Sequence, residues 1–253
     1  MTQKLTDRVA LITGAASGMG KITAELFARE GAFVYIGDRD QKQAEQVVEK
    51  ITNAGGQADF LKLDVTSEED WQAAVQKLDR LDILVNNAGI DTHSTLEAGT
   101  LADWNQTLAV NLTGPMLGMK ATLPLLKESD HASVVNIGSM AGEVGHPFTA
   151  YSTSKWGVRG LTKSAAYLFE KYGIRVNAVH PGLVHTPLVA AMYDKFAQAI
   201  PGGRGAEPIE IARVTLFLAS DDSQYINATD QVVDNGATQL GLYKGIMRNV
   251  NQD

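Results

Sequence analysis

Mostly apolar residues run along this chain in short blocks, and each block stops at a glycine, asparagine, aspartate or proline. The blocks are residues 8–13, 32–37, 58–63, 81–85, 132–137, 174–180 and, more weakly, 231–234. Continuous apolar runs of this length read as strands buried on both faces. Between them the period changes to that of a helix. Ile22, Leu26 and Phe27 share one side of a segment whose other sides carry Lys21, Glu25 and Arg29, and Gly31 closes it as a C-cap. Residues 41–54 form a polar amphipathic helix ended by Gly55 and Gly56. Ser67 is placed as an N-cap ahead of Glu68, Glu69 and Asp70. A long helix is expected from near Thr100 to near Glu128, with one turn loosened by Pro115. Another runs to about Tyr172, and a last one from about Pro208 to Ala219. Residues 187–206 are less regular. Strands alternating with helices predict an α/β fold, a doubly wound parallel sheet with helices on both faces. With no linker, repeat or low-complexity stretch, residues 1–253 are expected to form a single domain.

Composition narrows the chemistry. The formal net charge is -7, which disfavours nucleic acid and anionic membranes as partners. There is no cysteine, so disulfides, thiolate catalysis and cysteine-ligated metals are excluded. Residues 1–7 carry no apolar signal region, and no apolar run approaches membrane-spanning length. A soluble, cytoplasmic protein is expected.

The polar residues that end the strands are more informative. In an open parallel sheet the C-terminal strand ends form the ligand crevice. The first strand opens into Gly14-Ala15-Ala16-Ser17-Gly18-Met19-Gly20, directly before a helix. Free N–H groups and the helix dipole there suit a pyrophosphate, and glycines permit close approach. The spacing is G-x-x-x-G-x-G, not the general G-x-G-x-x-G fingerprint. Asp38 ends the second strand. A carboxylate there can accept hydrogen bonds from the ribose hydroxyls and repels a 2′-phosphate, which favours NAD over NADP. Arg39 beside it is placed to bind such a phosphate, and Asp38 is weighed more heavily. Asp38 also suits a plain turn residue, and Asp64 suits either a turn cap or an acceptor for the adenine amino group.

Tyr151 and Lys155 stand four residues apart, on one face of a helix. An unperturbed phenol titrates near pH ~10, and a fixed positive charge beside it lowers that value. Bringing it to neutrality takes roughly 4 kcal/mol of differential stabilisation. Taken alone, the pair reads more simply as two residues of a solvated helix face.

These motifs together, Thr13 to Gly20, Asn86-Asn87-Ala88-Gly89, Asn111, Ser139, Tyr151 to Lys155, and Pro181-Gly182, resemble the classical short-chain dehydrogenases/reductases over nearly the whole chain. The resemblance implies a Rossmann-type fold that moves hydride between a nicotinamide and an alcohol or carbonyl. It implies Tyr151 as general acid/base, and Lys155 lowering its pKa and holding the nicotinamide ribose. Ser139 would hydrogen-bond the substrate oxygen, and Asn111 would support a proton relay through water. For the cofactor it implies Gly14, Ser17, Gly18, Met19, Gly20, Asp38, Arg39, Asp64, Val65, Asn86, Asn87, Ala88 and Gly89. Tyr151, Lys155, Pro181, Gly182, Val184 and Thr186 would lie at the nicotinamide end. The family pairs its two long helices between subunits, so the apolar residues around Met116, Leu117, Met119, Leu123 and Leu126 and around Trp156, Val158, Leu161, Ala165, Leu168 and Phe169 imply a homotetramer.

Two features depart from the family pattern. Gly138 stands where a second serine is usual, and the interval from Ser139 to Tyr151 is about one residue short. His93, His146 and His185 fall in loops expected at the mouth of the site. Their spacing suits substrate contact rather than a metal. Leu188, Val189, Met192, Tyr193 and Phe196 lie in the irregular segment, which in the family is a substrate lid. They suit a bulky, mostly apolar secondary alcohol or ketone, such as a hydroxysteroid, a cyclic alcohol, or an aryl or alkyl ketone. Two other readings share the fold. One is an NADP-dependent 3-oxoacyl-carrier-protein reductase, against which stand Asp38 and the scarcity of positive charge at residues 127–131. The other is a catalytically silent nucleotide sensor or interaction protein.

Overall fold

A computed structural model describes residues 3–190 and 193–241. Seven strands form one sheet: β1 (Val9–Thr13), β2 (Phe33–Asp38), β3 (Gln57–Lys62), β4 (Ile83–Asn86), β5 (Ser133–Ile137), β6 (Arg175–Pro181) and β7 (Asp230–Val233). Their spatial order is β3-β2-β1-β4-β5-β6-β7, and every neighbouring pair is parallel. The chain therefore winds outward from β1 in one direction, returns, and winds outward from β4 in the other. The reversal leaves a crevice at the C-terminal ends of β1 and β4. This is a Rossmann-type α/β fold, with helices on both faces of the sheet.

The central apolar blocks became strands covered on both faces, while the edge strands β3 and β7 are only partly buried. Ala10, Ile12, Val34, Ile36, Ile83, Val85 and Val135 pack into one apolar layer, and Leu11, Leu84, Val134 and Val176 into the other. The first layer is closed by α1 (Gly18–Arg29), α2 (Gln41–Asn53) and α8 (Pro208–Ala219). The second is closed by α3 (Glu68–Val75), α5 (Gly114–Leu126) and α6 (Thr149–Phe169). Trp71 is fully buried there and its indole donates to the Val65 carbonyl at 3.0 Å. Ser67 caps α3 as expected, accepting from Asp70 N–H at 3.0 Å. Gly31 follows α1 with φ of 96°, where a Cβ would also press on Thr6.

Strand boundaries differ from expectation by one or two residues. β3 stops at Lys62 rather than Leu63, β6 continues through Pro181, and β7 begins at Asp230. The long helix is not continuous. It comprises α4 (Leu101–Leu108), a π turn at Ala109–Thr113, and α5. The loosening anticipated at Pro115 falls on the turn just before it, because Pro115 has no N–H to return to the Asn111 carbonyl four residues back. The irregular segment holds a short turn at Pro187–Val189 and a helix, α7 (Tyr193–Ala197). Met192, assigned to the substrate side, lies outside the described residues. Among the described residues no helix is long and apolar enough to cross a membrane.

Candidate active site

The glycine turn is held from below. Gly14 has φ of 62°, and a Cβ there would come within 2.8 Å of Ala88 Cα. A Cβ on Gly20 would overlap Asn87 Nδ2 and the Gly14 carbonyl. Asn87 occupies that space and donates to the Thr13 and Gly14 carbonyls at 2.9 and 3.1 Å. The Thr13 hydroxyl accepts from the N–H groups of Asn87 and Ala88, tying β1 to the end of β4. Gly18 is different. Its φ is 54°, and the nearest protein atom to a Cβ there is 3.9 Å away, on Thr186. Helix α1 starts at Gly18 with no side-chain cap and no acidic residue in its first turn. An uncapped N-terminus beside open space suits an anion.

That space is a groove of about 520 Å³. Gly14, Ser17, Gly18, Met19, Asp38, Arg39, Asp64, Val65, Asn87, Ala88, Gly89 and Thr186 line it, all of them singled out from the sequence. Asp38 accepts from Ala16 N–H and Asp40 N–H, each at 3.0 Å, so the carboxylate also braces the glycine turn. Asp64 accepts from the Thr66 N–H and hydroxyl, which hold its carboxyl below the usual range. Gly20 lies beneath the wall rather than on it. Asn86 faces the interior, donating to Asn136 Oδ1 at 2.8 Å. Val184 is buried in the core, paired to Ala206 across an isolated bridge. Pro181 and Gly182 end β6, with Gly182 N–H bonded to the Val233 carbonyl. Gln106 and Val110 also line the groove without having been anticipated. Val110 directly precedes Asn111 and Gln106 lies five residues before it, so neither shares its helical face and the local pattern did not mark them.

Tyr151 and Lys155 lie on the first turns of α6. Lys155 is buried and donates to the Ile137 carbonyl at 2.9 Å. Burial lowers its pKa to about 8, opposed by the charge of Asp91. Its Nζ stands 5.6 Å from the centre of the Tyr151 ring. The expected lowering of the phenol pKa is not what this chain alone produces. Burial pushes the Tyr151 phenol up, a hydrogen bond with Ser139 pulls it down, and Asp91 pushes it up further. Desolvation outweighs the neighbouring donors in a site this dry. Asp91 escaped the sequence reading; the signal available was a carboxylate two residues beyond the strand-end Gly89.

Asn111 is 1% exposed, and its side chain is fully engaged. Oδ1 accepts from Ile90 N–H, and Nδ2 donates to the Ile90 carbonyl and to Ser154 Oγ. It thereby joins the π turn, the loop after β4 and α6.

Ser139 follows β5 and caps a 3₁₀ turn, Met140–Gly142, accepting from Ala141 N–H at 3.1 Å. The short loop after it is strapped to α6. Ser152 donates to the Ala141 carbonyl at 2.9 Å and Arg159 to the Gly142 carbonyl at 3.0 Å. His93 and His146 gather by edge contacts around Phe148, and the His146 ring stands 5.8 Å from that of Tyr151. Burial lowers the pKa of His146. His93 has φ of 54°, held by its N–H on Asp91 Oδ1 at 2.8 Å. His185 lies apart from these, against Tyr193. Among the described residues no group of three histidines and acids is placed to hold a metal ion.

A parallel sheet with its groove at the reversal point, and a helix N-terminus open to it, define a Rossmann-type protein. Comparison with known proteins specifies the family. Residues 14–238 match a family model described as Enoyl-(Acyl carrier protein) reductase. The chain is 43% identical over 249 residues to trans-4-hydroxycyclohexanecarboxylate dehydrogenase of Sinomonas cyclohexanicum, covering 94% of this chain and 95% of that protein. It is 39% identical over 246 residues to cyclopentanol dehydrogenase of Comamonas testosteroni, covering 93% and 98%. A solved short-chain type dehydrogenase/reductase from Mycobacterium marinum superposes with a TM-score of 0.90 at 31% identity, covering 94% of this chain and 98% of that one. The chain belongs to the short-chain dehydrogenase/reductase family, whose cofactor is a nicotinamide dinucleotide.

Proposed function

We propose that this protein is an NAD-dependent dehydrogenase that interconverts a secondary alcohol on a ring and the corresponding ketone. The observation that carries the reading is the convergence of Ser139, Tyr151 and buried Lys155 beside a groove whose walls suit a dinucleotide. The similarity to dehydrogenases of a hydroxycyclohexane acid and of cyclopentanol supports a cyclic substrate.

The pyrophosphate fits at the open N-terminus of α1 over Gly18, and the adenosine fits between Asp38, Asp64 and Val65. Asp38 supports NAD, because a 2′-phosphate beside its carboxylate is repelled. When bound, the nicotinamide supplies or accepts the hydride. The chain manages the proton. In ketone reduction Tyr151 donates to the developing alkoxide, while the Ser139 hydroxyl donates a hydrogen bond to the same oxygen. In oxidation Tyr151 accepts the proton. Lys155 holds the nicotinamide ribose, leaving the Ile137 carbonyl or sharing it. The phenol is held high by burial in the chain alone. A cationic nicotinamide, when bound, would favour the phenolate and so oppose the effect of burial on Tyr151. Asn111 supports a proton relay through water. His93, His146 and Phe148 form the substrate wall, with the segment at 187–206 as its lid. The enzyme acts in the cytoplasm as a homotetramer, and exposed Trp156, Tyr167 and Leu168 on α6 support an interface there.

The test is turnover of cyclohexanol, cyclopentanol and hydroxysteroids with NAD and with NADP, read by absorbance of the reduced nicotinamide. Oxidation with a preference for NAD is expected. Binding of NAD without turnover of any cyclic alcohol or ketone would sink the reading. Light scattering is expected to show four chains, and a monomer would remove the assembly from it.

A further inference from the structure

Below Ser139 lies a histidine that the catalytic reading does not use. His180 is the penultimate residue of β6 and is fully buried. Its ring packs against Gly138, where a Cβ would come within 2.5 Å of ring atoms Cε1 and Nδ1. The missing side chain at 138 is thus the space this imidazole fills. The ring is not merely packed. Its Nδ1 is 3.2 Å from the Ser139 carbonyl oxygen and 3.6 Å from Glu143 Oε1. Its Nε2 is 3.3 Å from Asp230 Oδ1.

The Ser139 carbonyl has two lone pairs. One accepts from Gly142 N–H at 2.9 Å, and the imidazole reaches the other. The peptide between Ser139 and Met140 is therefore held from two directions, and the Ser139 hydroxyl is held from a third by Ala141 N–H. Charged groups brace the ring from behind. Arg159 pairs with Glu143 at 3.4 Å and Asp230 at 3.1 Å, and Lys163 also pairs with Asp230. Both ring nitrogens face acceptor oxygens. A neutral imidazole can donate to one of them alone. His180 Nε2 and Asp230 Oδ1 are buried without a hydrogen bond, whereas Nδ1 has one to Ser139. The proton belongs on Nδ1. Burial, which holds this imidazole below the ordinary histidine value against the pull of the Ser139 carbonyl, Asp230 and Glu143, agrees with a ring carrying one hydrogen.

We infer that His180 is a positioning residue for Ser139, acting as an Nδ1–H donor that locks the Ser139 carbonyl and thereby the direction of its hydroxyl. The inference rests on the role proposed for Ser139, but part of its test does not.

The first measurement is the ¹⁵N spectrum of histidine-labelled protein, with His180 assigned by comparison with His180→Asn. The Nδ1–H tautomer is expected. An Nε2–H tautomer, donating to Asp230 instead, overturns the inference whatever the enzyme's activity. The second measurement is steady-state oxidation of cyclohexanol with NAD by two variants. His180→Asn places an amide nitrogen near the Nδ1 position, whereas His180→Gln reaches toward Asp230. His180→Gln is expected to lose about tenfold in kcat, the worth of one buried hydrogen bond, while His180→Asn stays within about threefold of the unmodified enzyme. The KM for NAD should not move in either. Equal losses in both variants, or losses mirrored in the KM for NAD, would make the ring simple core filler. If the unmodified enzyme turns over no cyclic alcohol, the proposed function fails, and the ¹⁵N spectrum still decides the tautomer.

Discussion

The two ends of the groove are built by different means. At the nucleotide end, close approach at glycines sets the shape and a few short side chains pin it to the strand ends. Glycines at 14 and 20 admit neighbouring main chain and Asn87, and strand-end N–H groups meet the Thr13 hydroxyl and the Asp38 carboxylate. At the substrate end, side chains hold the backbone. Ser152 and Arg159 strap the loop after Ser139, Asn111 grips Ile90, and His180 supports Ser139 from beneath. The first end presents a fixed shape suited to one kind of ligand. The second presents loops whose shape depends on particular side chains, which is where a shared scaffold can change its substrate.

The sharpest way to separate the ends is to remove the phenol. Tyr151→Phe is expected to lower kcat by roughly 10³-fold, because general acid/base help is lost. Binding of NADH, measured by fluorescence, should change little. A loss of binding as large as the loss of turnover would mean that the two ends are not separable.

Next in size is the buried ammonium at their junction. Lys155 titrates at about 8 when folded and at 10.5 when unperturbed. Between those values the unfolded chain holds a proton that the folded chain has released, so stability rises with pH through that window. Below pH 8 the burial penalty is present in full. Relative to Lys155→Met, the unmodified chain is therefore expected to gain about 3 kcal/mol between pH 7 and 10.5. Denaturant melts of both proteins across that range check this, and parallel curves would show that the lysine is not desolvated.

Asp38 tests the nucleotide end. Asp38→Asn removes the charge and keeps the shape. The ratio of kcat/KM for NAD over NADP should fall by about 2 kcal/mol, or roughly 30-fold, the size of a charged hydrogen bond. An unchanged ratio would transfer the selection to Arg39.

The smallest expected effect is at the substrate end. Ser152→Ala removes one strap and leaves the Ala141 carbonyl short of a partner, at about 1 kcal/mol. The KM for the cyclic alcohol should rise severalfold with the Kd for NAD unchanged. A change in NAD binding instead would mean that the strap serves the whole groove.

The same contrast explains what could be read from residues alone. Strand blocks, the glycine turn and Asp38 were legible because each depends on local chemistry. An apolar run buries on two faces, a turn after a strand needs glycine, and a strand-end carboxylate reaches one neighbour. Their positions along the sheet edge follow from the parallel alternation. The break at residues 109–113 was half legible, since proline announces a lost N–H but not which turn widens. Asp91 and the Glu143–His180–Asp230 group were not legible. Nothing in their local spacing distinguishes them from loop and strand residues with other partners.

Order along the chain was thus enough for the sheet, the crevice and the residues that repeat a strand-end pattern, because hydrophobic burial and backbone hydrogen bonding act on every such segment alike. The charge state of the site was decided in three dimensions. Tyr151 and Lys155 were expected to lower the phenol between them, one turn apart on a helix. Packing instead buried the lysine and half-buried the phenol, pulling the lysine down and pushing the phenol up. Desolvation depends on everything that closes over a group, and in this fold that comes from Asp91 beyond β4, Ile137 at the end of β5 and the loop after Ser139. None of these adjoins the pair in sequence.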